Sequence, residues 1–320
     1  MKFTWTDEQQ AFASSLESLL SAADTVSVAR AWAEDDTESG LKLWGRLAEQ
    51  GINALMVSEE AGGMGATGVE LAIAFEALGR HAVPGPWVES AAYLPVALGD
   101  DALAAELAEG AIGTVAVAPH VPHALDADVA THAFVVDGDR AQRAAIGERL
   151  HSVDNTRRLF RVSGEAPATL GGDLQAAFDT AALATAAQLL GAGERLLDES
   201  VAYVKQRRQF GREIGSYQAI KHMLADVRIA LDFARPLVNG AALGLGTPEA
   251  TRDVAAAKVY TAEAAYLSSR VALQVHGAIG YTRELDLSLW LIKVRALLTA
   301  WGTPAHHRGQ VLDALVEAGA

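Results

Sequence analysis

Residues 181–300 read as four long helical stretches joined by short connections, and this pattern leaves few folds open. Ala181–Arg208 is the first. Its Gly191 and Gly193 predict the close approach of another helix. Tyr217–Leu243 is the second, with Pro236 as a kink site. Pro248 stands at the first position of a third stretch that runs to Gln274, where its fixed φ suits a helix start. Leu285–Ala300 is the fourth. Long helices with short links pack as antiparallel neighbours, so residues 181–320 are expected to form a four-helix bundle.

The first 110 residues are helical too. Thr6 and Gln9 have capping-box spacing, and Trp5, Phe12, Leu16 and Leu19 then share a face. Leu41–Gln50 is closed by Gly51, and Thr67 with Glu70 caps a helix that stops at Gly79. Pro86 opens a helix to Leu98, and Asp101–Glu109 forms a shorter one. Between about 111 and 180 the character changes. IGTVAVAP, THAFVVDGD and RRLFRVSG are short β-rich runs between turn residues. The expected architecture is therefore mainly α: a helical domain (1–110), a small middle β domain (111–180) and the bundle (181–320).

Composition narrows the function. A net charge of -14 repels phosphate backbones, which argues against general nucleic-acid binding. The chain has no cysteine, so disulfides, thiol catalysis and thiolate metal sites are excluded. No signal-peptide pattern opens the chain. The most apolar run, Ala181–Gly193, falls short of the roughly 20 residues that cross a bilayer. A cytoplasmic protein without membrane contact is the expectation.

Several motifs carry little. Residues 63–68 match GxGxxG, but the segment after the following helix, HAVPGPWVESAAYL, offers no second strand, so an inter-helix loop is expected. His306 and His307 are adjacent, and adjacent helical side chains diverge by about 100°, which argues against a metal site. No G-x-S-x-G, P-loop or HExxH occurs. The informative stretch runs from Tyr203 to Gln218. Arg207 closes a long helix and Phe210-Gly211 breaks it. A guanidinium there suits a pyrophosphate, which it binds bidentately. The spacing describes equally well a solvated arginine cluster favoured by the helix dipole.

YxxxRxxFG followed by an aromatic-Gln pair resembles the C-terminal signature of the acyl-CoA dehydrogenases. Gln274-Val-His-Gly277-Ala278-Ile-Gly280-Tyr281 resembles that family's QxxGGxGY, and Gly302-Thr303 with Arg308 resembles its EGTxxxxR. LAEQGINALMVSEEAGGMG resembles its N-terminal LAExG…PExxGGxG, so the likeness spans both helical regions. The resemblance implies an FAD bound between subunits. One subunit's middle domain holds the flavin ring, and its neighbour holds the nucleotide half. It implies Arg207, Phe210, Gln218, Gln274, Gly277 and Thr303 as cofactor-binding residues. Ala278 replaces a family glycine, which puts the backbone approach there in question.

Two departures stand out. The family's α-proton is removed by a glutamate that, in many members, precedes the Gly-Thr of the third motif. Here that residue is Trp301, whose indole has no basicity to offer. Other members place it at the start of the first bundle helix, which is Ala181 here, with Asp179 the nearest carboxylate. No catalytic residue is therefore assigned. Nothing between Gly110 and Thr180 resembles the ring-binding TEPxAGS and WITN stretches. The chain is similar in this to the shortened subunit of heteromeric acyl-CoA dehydrogenases from steroid-degrading bacteria, as is GPWVESAAYLP. That resemblance implies a heterotetramer with a full-length partner that carries the glutamate, a steroid side-chain CoA thioester as substrate, and an electron-transfer flavoprotein or similar acceptor. The alternatives are a homomeric dehydrogenase with a base such as Asp179 or Glu194, or a non-enzymatic binding protein on the same fold.

Overall fold

The computed structural model describes residues 3–99, 102–282 and 284–319. Asp101, the expected start of a short helix, and the Tyr281 side chain lie outside the described set. The chain begins with helices α1 (Asp7–Ser21), α2 (Thr25–Ala33), α3 (Glu38–Glu49) and α4 (Gly68–Arg80). Both capping boxes form: the Thr6 and Thr67 hydroxyls accept from backbone N–H groups, and Gln9 and Glu70 reach back. Gly51 takes φ +82° just beyond α3, the left-handed value that closes a helix cheaply only at glycine. α2 has no counterpart among the sequence expectations. Asp24 caps it, and Trp32 carries its buried face into the core.

Residues 63–68 form a loop folded on Val57 and running into α4, with no strand ahead of it. After α4 the chain turns into a helical segment whose centre, Glu89–Tyr93, is π-helical and continues into α5 (Leu94–Leu98), followed by α6 (Ala102–Ala108). A π-turn shifts the side chains after it by one position and often marks a functional place.

The middle section is one five-stranded sheet in the order β1-β3-β4-β5-β2. Its strands are β1 (Gly113–Ala118), β2 (Ala124–Leu125), β3 (His132–Asp137), β4 (Arg140–Leu150) and β5 (Leu159–Ala168). β1 and β3 are parallel and the other pairs antiparallel. A buried cluster ties the sheet to α2: Arg158 bonds Asp126 (2.9 Å) and Asp128 (2.8 Å), stacks over Trp32, and the Trp32 indole donates to Asp126.

The bundle follows. α7 runs Leu174–Gln206, a 33-residue helix that begins seven positions before the expected Ala181, because the Asp173 carboxylate caps it at the N–H groups of Gln175 and Ala176. α8 (Gln218–Gly244) is continuous across Pro236, and α9 (Ala250–His276) starts two residues beyond Pro248. α10 is shorter than expected (Leu287–Leu297), and α11 (Pro304–Gly319) adds a helix that carries His306 and His307. Gly191 does mark a close approach. A Cβ there would stand on the carbonyl oxygen of Glu76 in α4 and 2.8 Å from the Arg80 nitrogen. Gly79 of α4 meets Gln188 of α7 in the same way, so the two helices cross almost backbone to backbone. Among the described residues no helix is long and apolar enough to cross a membrane.

Candidate functional site

α7 separates two places of interest by its length. From Phe178 near its start to Arg207 at its end, the rise of an α-helix gives roughly 40 Å. The expected site residues divide between these two ends.

At the far end, Arg207 caps α7 and its side chain is exposed, with no carboxylate partner among the described residues. The chain then makes a small hairpin of β6 (Arg208–Gln209) and β7 (Arg212–Glu213). Its two turn residues, Phe210 and Gly211, have φ of +52° and +82°, as a two-residue hairpin with the twist of its strands requires. Phe210 stands at the tip, 90% exposed. The Ile214 N–H returns to the Arg207 carbonyl, which brings Gln218 at the start of α8 back beside the hairpin. The second motif joins at the same end. Tyr203 of α7 stacks on His276 of α9 with ring centroids 4.2 Å apart, so Gln274 and Gly277 lie next to the Arg207 turn. Gly277 ends α9 at φ +63°, ψ -139°, a conformation that only glycine holds without strain, and among the described residues nothing beyond its chain neighbours lies within 4 Å of where a Cβ would be. Ala278 is exposed in the 3-10 turn that follows. An unpaired guanidinium, two exposed amides, an open glycine and a bare phenyl ring fit the phosphate and aromatic parts of a dinucleotide shared across a subunit contact.

Thr303 is not part of that cluster. It lies at the other end of α7, where its hydroxyl accepts from the His306 N–H and caps α11. The neighbouring Trp301 is 1% exposed and sits in the left-handed region at φ +54°. Its ring packs against Tyr93 (4.9 Å) and Phe178 (5.9 Å), and its carbonyl accepts from His307 Nε2 at 2.9 Å. His306 turns instead to pack its ring, tilted, against His120 with centroids 4.0 Å apart. Ala181 is fully buried inside α7. The carboxylates weighed as substitute bases are engaged elsewhere. Asp179 accepts from Gln175 (3.0 Å) and Thr251 (2.6 Å) and faces a different cavity, beside Thr67 and Ala242. Glu194 is held by Arg228 through two bonds of 2.7 Å and by Arg235 at 2.9 Å. Burial alone would raise its pKa, but the two guanidinia outweigh it and hold the carboxylate ionised.

The sequence reading missed Glu89. It lies on the π-helical segment, 1% exposed, and accepts from the Trp301 indole N–H at 3.3 Å. Its second oxygen has no hydrogen-bond partner among the described residues. Burial pushes its carboxyl above the ordinary range, against the pull of nearby Arg157. Together with Trp301 and Arg157 it lines a cavity of about 410 Å3. The segment GPWVESAAYLP drew notice in the sequence, but a contact between positions 212 residues apart left no local signal.

The described geometry is that of an acyl-CoA dehydrogenase, and comparison with known proteins agrees. "Acyl-CoA dehydrogenase, N-terminal domain" matches residues 6–112, and "Acyl-CoA dehydrogenase, C-terminal domain" matches residues 172–316. Among curated proteins, acyl-CoA dehydrogenase IpdE2 of Mycolicibacterium smegmatis is 34% identical over 305 residues, covering 93% of this chain and 96% of that protein. Among solved structures, the ChsE4-ChsE5 complex from Mycobacterium tuberculosis superposes with a TM-score of 0.82 at 22% identity, covering 99% of each chain. The Tcur3481-Tcur3483 steroid ACAD gives 0.83 at 21%, covering 98% of this chain and 99% of that one. This chain belongs to the acyl-CoA dehydrogenase family, oxidoreductases that act on the CH–CH bond of CoA thioesters.

Proposed function

We propose that this chain is the non-catalytic subunit of a heteromeric, FAD-dependent acyl-CoA dehydrogenase that introduces an α,β double bond into a CoA thioester. The observation that carries the reading is Trp301. A buried indole, wedged between Tyr93 and Phe178, occupies the position of the family base, and the carboxylates weighed as substitutes, Asp179 and Glu194, are bonded elsewhere. The partner supplies the glutamate. This chain supplies Arg207, Phe210, Gln218, Gln274 and Gly277 to the nucleotide half of the cofactor. Arg207 pairs with pyrophosphate oxygens, Phe210 covers an apolar face, and the glutamine amides donate to phosphate or ribose oxygens. When bound, FAD provides the hydride acceptor. Thr303, tied to α11, has no part in that half.

A heterotetramer is supported by the likeness to the ChsE4-ChsE5 complex. A steroid side-chain thioester as substrate is supported by the likeness to a steroid ACAD, and an electron-transfer flavoprotein as acceptor by the family resemblance. A cytoplasmic location goes with that chemistry. The helical 1–110 region, the middle β section and the bundle serve as functional units in this reading, with the bundle's first helix beginning at the Asp173 cap rather than at 181.

The test is cofactor stoichiometry. A complete site needs a ring half and a nucleotide half. With a full-length partner, this chain completes one site, while the reciprocal site lacks a ring half. Flavin absorbance against protein mass should give one FAD for each heterodimer, and the melting temperature should rise with added FAD by mass action. Two FADs would overturn the reading.

A further inference from the structure

The cavity beside Trp301 has no task in the reaction assigned above, yet it is built as a site. Glu89 reaches it from the π-helical segment with one oxygen committed to the Trp301 indole and the other unpartnered. Buried polar groups are nearly always satisfied within the fold, so an unpaired oxygen on a side chain that lines a cavity is set to meet something placed there. Arg157 lines the same space, half-buried, with no side-chain hydrogen bond or ion pair among the described residues. The other described arginines that are not exposed, among them Arg158, Arg228 and Arg235, all rest on carboxylates. The mouth carries Arg295 and His151, both exposed, in a chain whose overall charge is -14. The rest of the wall mixes apolar surface, including Leu125, Leu159 and Ala300, with the polar side chains of His120, His123, Ser152 and Thr299.

We propose that this cavity is a ligand site, separate from hydride transfer, that takes a small organic carboxylate with an apolar body. Arg157 pairs with one carboxylate oxygen, and the Glu89 O–H donates to the other. A neutral acid beside a guanidinium matches a single negative charge, because inside the mouth Arg157 is the one guanidinium on the wall among the described residues. The apolar part of the wall accepts the aliphatic body. At about 410 Å3, the volume lies within the range of small-molecule pockets. The inference goes beyond the proposed subunit role, and its test contains no flavin and no acyl-CoA, so the two can fail separately.

The experiment is calorimetric titration of the full chain with hexanoate, its neutral isostere hexanamide, and inorganic phosphate. Hexanoate should bind at one site per chain, at least tenfold more tightly than hexanamide, and phosphate should not displace it. Trp301 should report the binding as a fluorescence change that Trp301→Phe removes. Arg157→Met should weaken hexanoate at least tenfold. Glu89→Gln keeps an N–H donor and should change affinity less than threefold, whereas Glu89→Leu should weaken it fivefold or more with the circular dichroism unchanged. If Glu89→Leu does not fold, Arg157→Met decides alone. No saturable binding, equal affinity for hexanoate and hexanamide, displacement by phosphate, or an unaffected Arg157→Met would each overturn the proposal.

Discussion

Gly191→Ala tests how far the crossing of α4 and α7 controls the fold. Within a helix the substitution gains up to about 1 kcal/mol from propensity. Against that, the new methyl group stands on the Glu76 carbonyl oxygen and 2.8 Å from the Arg80 nitrogen, and both are backbone atoms that no rotamer change can move. The helices must part by about 1 Å, and overpacking of this kind costs on the order of 3 kcal/mol. The shift would also strain the Gly79–Gln188 contact and the bonds from the Trp290 indole to the Gly79 and Arg80 carbonyls. The net expectation is a loss of about 2 kcal/mol, or a melting point lower by roughly 5 °C. Gly45→Ala is the matched control, since it lies in α3, is exposed, and has nothing within 4 Å of a Cβ. It should stabilise by about 0.5–1 kcal/mol. Differential scanning calorimetry of the two variants beside the parent decides. If Gly191→Ala melts at or above the parent temperature, the backbone-to-backbone crossing does not constrain the fold as argued.

Arg207→Ala should release FAD from the assembled heteromer without unfolding it. A lost charge-assisted contact costs about 2–3 kcal/mol, so flavin affinity should fall roughly 30- to 150-fold, and an unchanged affinity by flavin fluorescence titration would reduce Arg207 to a surface cation. The chain purified alone, assayed with acyl-CoA thioesters and an artificial electron acceptor, should show no turnover above background. Lys258 is buried with its ammonium on the Leu297 and Leu298 carbonyls, and burial lowers its pKa to about 7. Between pH 7 and the ordinary lysine value near 10.5 the unfolded chain therefore binds the extra proton. Stability relative to Lys258→Met should rise with pH across that window, by up to about 1.4 kcal/mol per pH unit. A flat difference in denaturation free energy would contradict it.

What the sequence disclosed depended on the range of each signal. The capping boxes at Thr6 and Thr67 act over three residues and formed as read. Gly191 was legible because a glycine inside an apolar helix has few other uses. β4 was not, since RAQRAAIGERL alternates poorly and is exposed along most of its length, so sheet pairing rather than pattern makes it a strand. The start of α7 was misplaced because Asp173 caps it from within a Gly-rich turn that reads as loop. The nucleotide-binding motifs were visible as strings. Their gathering at one end of the bundle, through the Tyr203–His276 stack, was a matter of helix length and could not be read locally. Thr303 belonged to a motif of the same family yet lies at the opposite end.

The lodging of Trp301 bears on the ancestry of the chain. Its indole fills the space between Tyr93 and Phe178, its N–H serves Glu89, and its backbone holds φ +54° beside Gly302 at φ +99°. A reversion to glutamate would take away the donor that Glu89 relies on, open a hole among aromatic rings, and set two carboxyls side by side in a dry interior. Neither could then ionise freely, so the restored residue would be a poor base. Regaining the old chemistry thus needs Glu89 and its neighbours to change in concert with position 301. Such a lineage has passed a point from which single substitutions do not lead back, and on the proposed reading its reliance on a partner subunit is held by packing as much as by selection.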